Sequence, residues 1–311
     1  MNNNTNNNYE DEIDFSFLFT TIWKSKLIIL LTTILFGICS IFYALSIPDK
    51  FTSSALLQVQ SSNANSSRSA LTSQLGGLAS LAGISMPSGG GDKSFYAIET
   101  IKSREFLKHL VSFEGVKENL IAANGYDYKS NSTTFDEDIY DSNIKKWVRE
   151  ETRDTKIIPT YLEIYDYEYN QNLLITKDKK SGYLTVSYEH YSPQFAYDFL
   201  NLIINEVNSV AKKKDIEESQ SALDYLTDKS KTIAQKNIKD SFQNLLDSQL
   251  ERLMLANIKD DYLVAAVDSP FIAEQNSSPT RPLLVIIITF FGFLLSIFYV
   301  LFNSYLHYSK K

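Results

Sequence analysis

The chain has 311 residues, a net charge of −7 at pH 7 and a single cysteine. A mildly acidic chain carries no electrostatic footprint for nucleic acid, and one cysteine excludes an internal disulfide. With three histidines, and no HExxH or Cys/His cluster among them, a zinc site has no ligand set.

Residues 1–26 begin with MNNNTNNN, a polar tract with nothing to bury. Ile13, Phe15, Phe17, Leu18, Ile22 and Trp23 follow, and either lie at a membrane surface or simply begin the next element. Residues 27–47 are uncharged and apolar, and Pro48 closes them. An acidic stretch of Glu10, Asp11, Glu12 and Asp14 before this run argues for an uncleaved anchor rather than a signal peptide. A second uncharged run, 283–306, lies near the other terminus, and at 1.5 Å per residue it reaches roughly 36 Å. Both runs are long enough to cross a bilayer. Lys24, Lys26, Lys310 and Lys311 flank them on the tail side, against Lys50 and Arg281 on the loop side. That bias places both tails, 1–26 and 307–311, in the cytoplasm.

Residues 48–282 remain, enough for a sizeable core, and they hold the whole net charge because the tails cancel. Phe51–Gln60 alternates as a strand. A Ser/Asn-rich loop follows over 61–69, then a glycine-broken apolar stretch, Leu71 to Met86. SGGGDKS resembles a phosphate loop, but Asp92 separates Gly91 from Lys93, so the motif fails. The spacing predicts one amphipathic helix over Ser94–Phe113 and a short helix around Trp147.

Tyr161, Tyr165, Tyr167 and Tyr169 interleave with carboxylates. Such rings can stack on sugars, although aromatics more commonly pack against their own domain. Asn172–Ile175 and Tyr183–Tyr188 form a hairpin turned by Gly182. Ser192 and Pro193 open a long helix that reaches Ile233, roughly 60 Å, with apolar stripes at each end. Lys236–Ile258 returns antiparallel, and Tyr262–Val267 is a returning strand ended by Pro270.

GxSxG and GxGxxG are absent, and nothing selects a pair among the many carboxylates, so no enzyme and no cofactor is expected. Small residues one turn apart, Thr33 with Gly37, Ser40 with Ala44, and Gly292 with Ser296, offer contacts between the two spans.

The order of three segments carries a family resemblance. IDFSFLFTTIWKSKLIILLTTILFGICSIFYALSIPDKFTSSALLQV leads into and out of the first span, YSPQFAYDFLNLIINEVN opens the long helix, and LANIKDDYLVAAVDSP with SPTRPLLVIII enters the second. Together they resemble the chain-length determinant family, the Wzz-type polysaccharide co-polymerases. Pro270, Pro279 and Pro282 match the family's proline-bearing connector, with Ala273 where another proline is common. The resemblance implies an α+β periplasmic domain between two transmembrane helices. Its mixed sheet would lie near the membrane, with the long helix, residues 193–233, projecting. It implies a non-enzymatic role in the bacterial inner membrane, setting the chain length of lipopolysaccharide O-antigen. The expected partners are further copies of the chain in a ring, a membrane polymerase, membrane lipid, and the lipid-linked oligosaccharide or growing glycan. A chain ending at Lys311 implies no appended kinase. A capsule or exopolysaccharide export component is the alternative within the superfamily, and a sensor or adaptor ectodomain is one outside it.

Overall fold

The computed structural model describes residues 15–60, 93–153, 155–231 and 236–308. The polar N-terminal tract, the Ser/Asn-rich loop, the glycine-broken stretch, the failed phosphate loop up to Asp92, and Ile233 lie outside these. The chain divides into two units, one of residues 1–48 with 277–311 and one of residues 49–276.

The first unit contains α1 (Phe15–Lys24), α2 (Lys26–Ser46) and α10 (Arg281–Tyr308). Both α2 and α10 are long and apolar enough to cross a membrane. The backbone bonds of α1 run on into α2, with Ser25 N–H donating to Thr21 and Ile29 N–H to Ser25. At the start of α10, Thr280 accepts from Leu284 N–H at 3.1 Å. Pro282 sits in that first turn, where a missing N–H costs nothing.

The second unit is α+β. In chain order it holds β1 (Phe51–Val59), α3 (Lys93–Lys102), α4 (Arg104–Leu110), α5 (Val116–Ala122), β2 (Ala123–Asp127), β3 (Ser132–Phe135), β4 (Tyr140–Asp141) and β5 (Lys146–Trp147). Next come α6 (Tyr161–Ile164), a π-helical segment (Tyr165–Tyr169) and α7 (Asn170–Asn172). The unit closes with β6 (Leu173–Lys177), β7 (Leu184–His190), α8 (Pro193–Ser230), α9 (Lys236–Ile258) and β8 (Val264–Asp268). Four strands make the main sheet in the order β6-β7-β1-β8.

Every pairing in that sheet is antiparallel, so the expected mixed sheet is corrected. The reason is connectivity. β6 and β7 are joined by a tight turn with Gly182 at φ +75°, and a short hairpin cannot give parallel strands. β1 leaves, and β8 returns to, one end of the sheet, where Asn276 donates to Asp49 at 2.7 Å. Phe51 pairs with His190 and Leu57 with Leu184, which puts alternate residues of β1 and β7 on one face. Ala55, Leu57, Leu184, Val186 and Tyr188 are buried there beneath Phe199, Leu200, Ile203 and Val207 of α8. Tyr188 meets Phe199 edge-on, centroids 4.7 Å apart.

Two other expectations are corrected. The helix predicted over Ser94–Phe113 is two helices, because Ser103 is extended (φ −74°, ψ 147°) and its hydroxyl caps Phe106 N–H. The segment around Trp147 is a small hairpin rather than a helix. Asp141 accepts from Asn143 and Ile144 N–H in an Asx turn, and Lys145 adopts φ +51°. Ser192 caps α8 through Phe195 N–H as its sequence predicts. The described helix runs from Pro193 to Ser230.

Asn208 on α8 is buried and fully paired. Its oxygen accepts from Leu263 and Val264 N–H at 2.8 and 2.9 Å, and its amide donates to Val264 C=O at 2.9 Å. Leucine there would strand three buried backbone groups at the start of β8, on Leu263 and Val264. Asn208→Leu is expected to cost about 3 kcal/mol and to lower the melting temperature of the full chain in detergent by roughly 10 °C. An unchanged melt would show that β8 holds without the amide.

His190 is also buried. Its Nδ1 accepts from Ser192 N–H, so Nε2 carries the proton donated to Asn119 C=O at 2.9 Å. Burial pushes its pKa down to about 4, against the backbone bonds that favour the charged form. The folded state therefore binds fewer protons than the unfolded state between pH 6.5 and about 4. This contribution is complete above pH 6.5 and is lost as pH falls toward 4, on the order of 3 kcal/mol in all. Melting temperatures recorded from pH 7 to 4 should fall on that limb, and His190→Gln should flatten it.

Candidate functional surfaces

Three groups of residues carry the candidate sites: the helical hairpin α8/α9, the tyrosine segment, and the facing surfaces of α2 and α10.

The hairpin rises from the core. Residues of α8 up to Ala211 pack on the sheet, and beyond it Ser219 is the one further buried residue among those described. Antiparallel α9 is fixed by a cluster where the helices leave the core. Asp215 pairs with Arg252 through one carboxylate oxygen and accepts from the Tyr262 hydroxyl through the other. Arg252 also reaches Glu218 at 3.6 Å. Lys212 donates to the backbone of Lys259 at 3.4 Å, and Lys214 lies over the Tyr96 ring at 5.3 Å, so two of the three lysines 212–214 have packing roles. Burial, then the Asp215 carboxylate, raises the Tyr262 phenol to about 12, so it stays protonated as the donor. None of these residues carries a sequence motif, and the Asp215–Arg252 pair joins two different helices, so no helical spacing signals it. Outside the cluster, Tyr225, Leu250, Met254 and Ile258 are exposed.

The four tyrosines do not share a face. Thr160 caps α6 through Glu163 N–H, and Arg149 holds Glu163 with both terminal guanidinium nitrogens, at 2.5 and 2.8 Å. The π-helical segment then aims Tyr165 and Tyr169 at the end of α3. Tyr169 donates to Ile101 C=O at 2.7 Å and Tyr165 to Lys102 C=O at 3.0 Å, which satisfies carbonyls that a helix end leaves unpaired. Tyr169 is 0% exposed, so a sugar contact by its ring is corrected to a core role. Tyr161 is half-buried with Lys108 over its ring at 5.8 Å, and Tyr167 is exposed.

In the first unit α2 packs against α10 in antiparallel fashion. Gly292 is buried against Phe36 so closely that a Cβ would lie 2.4 Å from Phe36 Cγ. Gly37 faces Thr289, at 3.6 Å from where its own Cβ would be. Ser40 Oγ lies 3.4 Å from Thr289 Oγ1, and Ala44 and Ser296 are buried. Thr33 turns its hydroxyl to its own helix, onto Ile29 C=O at 2.7 Å. Phe36 and Thr289, the partners the glycines meet, were not singled out by sequence, because a large residue opposite a glycine leaves no small-residue pattern. Of the connector prolines, Pro270 is buried after β8, Pro279 follows Ser278 through a cis peptide, and Pro282 is exposed at the start of α10.

Gly292→Leu is expected to push α10 off Phe36. In a Cys39→Ser background, Ser40→Cys with Thr289→Cys should form a disulfide in the parent. The same pair should cross-link at least several-fold less in Gly292→Leu. Equal cross-linking would show that the helices tolerate bulk at this contact.

The family model described as Wzz, chain length determinant protein, matches residues 11–113. No curated protein matches the chain. Among solved structures, a full-length bacterial polysaccharide co-polymerase is 16% identical with a TM-score of 0.37, over 96% of this chain and 98% of that one. A fragment of WzzB, a polysaccharide co-polymerase from Salmonella Typhimurium, is 13% identical with a TM-score of 0.28, over 74% of this chain and all of that one. The resemblance read from the sequence is thus borne out by the family match: residues 11–113, from before α1 past the end of α4, carry the Wzz chain length determinant signature.

Proposed function

We propose that this chain is a polysaccharide co-polymerase that sets the length of a surface polysaccharide, lipopolysaccharide O-antigen, and does so without catalysing a reaction. The observation that carries the reading is the Wzz match across residues 11–113, which takes in the first apolar helix and the strand β1 that follows it. In this reading α2 and α10 cross the bacterial inner membrane, residues 1–26 and 307–311 face the cytoplasm, and residues 48–282 form the periplasmic domain. The sheet lies near the membrane and the α8/α9 hairpin projects from it. Further copies of the chain assemble into a ring, a membrane polymerase is the working partner, and the growing glycan is the ligand. Tyr161 and Tyr167 are the two of the four tyrosines with a ring available to a sugar outside the core. Pro270, Pro279 and Pro282 form the connector that restricts the backbone leading into the second span.

Deleting the gene and running the surface polysaccharide on a gel tests this. Loss of the modal band with polymer still present is expected. Abolished polymer would favour a capsule or exopolysaccharide exporter, and an unchanged ladder would sink both. Replacing Pro279 and Pro282 together with alanine should broaden the length distribution while the protein remains in the membrane fraction. A wild-type ladder from that variant would remove the connector from the mechanism.

A further inference from the structure

Asp49 is the first residue of the α+β unit, three residues beyond the end of α2 at Ser46. Three residues of extended chain span at most roughly 11 Å. Whatever is fastened to Asp49 is therefore held close to the membrane boundary, on the reading that α2 crosses a bilayer. Two side chains of the same unit lie against its carboxylate. Asn276, at the other end of the unit, donates to one carboxylate oxygen at 2.7 Å, and the Tyr128 hydroxyl donates to the other at 3.4 Å.

Tyr128 lies in the turn between β2 and β3 and is 66% exposed. Its ring is nevertheless fixed. It meets Tyr126 edge-on at 5.3 Å and Phe51 at 6.2 Å, and Phe51 is buried at the start of β1. The turn is set by Asp127, which accepts from Lys129 N–H at 2.9 Å and from the Ser130 hydroxyl at 2.7 Å. Lys129 stands beside Tyr128, also exposed. A tyrosine offers an apolar ring and a polar tip, and a lysine an apolar stem and a charge; the headgroup layer, roughly 5–7 Å deep on each side, accommodates both.

We propose that the β2–β3 turn, Tyr128 with Lys129, is a membrane-interface anchor that seats the α+β unit on the lipid headgroups of the bilayer crossed by α2 and α10. The inference rests on the two-span reading, and the test separates the two. In the full-length chain, Trp23→Phe and Trp147→Phe leave no native tryptophan. One tryptophan is then placed by Tyr128→Trp, Lys129→Trp, Leu294→Trp within α10, or Tyr225→Trp on the exposed part of α8. Each protein is reconstituted into phosphatidylcholine vesicles whose acyl chains are unbrominated, brominated near the headgroup, or brominated at depth. Tyr128→Trp and Lys129→Trp should lose roughly half their emission to the shallow bromines and less to the deep ones, as an interfacial residue does. Leu294→Trp should be quenched by the deep bromines and Tyr225→Trp by neither. If Leu294→Trp is quenched while both turn positions behave like Tyr225→Trp, the anchor is overturned and the spans stand. If Leu294→Trp is not quenched, the spanning reading falls and the anchor with it.

Discussion

One buried amide holds the second unit closed. Asn208 occupies a position on α8 where the helix crosses the last strand, and its three hydrogen bonds pair with Leu263 and Val264 alone. Among the described residues β8 has one strand neighbour, β1, and its later residues are exposed. An edge strand with so little apolar cover gains little from burial, so its attachment depends on directional bonds. Those bonds place the strand that returns the chain to Asp49, and hence the point at which it leaves the unit. The Phe195–Phe199 stack at 5.3 Å and the edge contacts of Tyr169 and Tyr188 with Phe199 fill the core behind it. That filling is generic apolar packing, whereas the amide sets which residues of β8 face the helix.

Much of this architecture was legible in the sequence. Two uncharged runs, an alternating strand after the first, a hairpin around Gly182, and a Ser-Pro cap before a long helix each depend on local chemistry. The structure has β1, the β6–β7 hairpin, α8 and α9 where those signals put them. The two misread helices share a cause. Ser103 and Asp141 each divert the backbone with a side-chain oxygen, and a periodicity count passes over one polar residue in an otherwise helical pattern. Asn208 was invisible for the opposite reason: an asparagine on a long helix looks like surface until its tertiary partner is known.

The candidate surfaces were less legible than the fold. The sequence YLEIYDYEY left open which of its four rings could meet a sugar and which pack on the domain. A π-helical turn changes the angle between successive side chains, and so it sends Tyr165 and Tyr169 inward while Tyr167 stays outside. In the two apolar helices Gly37, Ser40, Ala44, Gly292 and Ser296 lie on the packed side, yet a stripe of small residues does not reveal what it faces. Phe36 over Gly292 is a knob and a hole, and only the hole has a sequence signature.

The continuity of α8 has a mechanical consequence. Its first half, to Ala211, lies in the core, and the remaining residues to Ser230 extend roughly 28 Å further without a cap, a proline or a glycine. The Asp215–Arg252 pair binds the return helix at the foot of that extension. A push on the far end meets no joint at which to bend, so it arrives as torque on Phe199 and on the amide that secures β8. The hairpin is a lever whose fulcrum is the sheet, and its load reaches the residues where the chain departs from the unit.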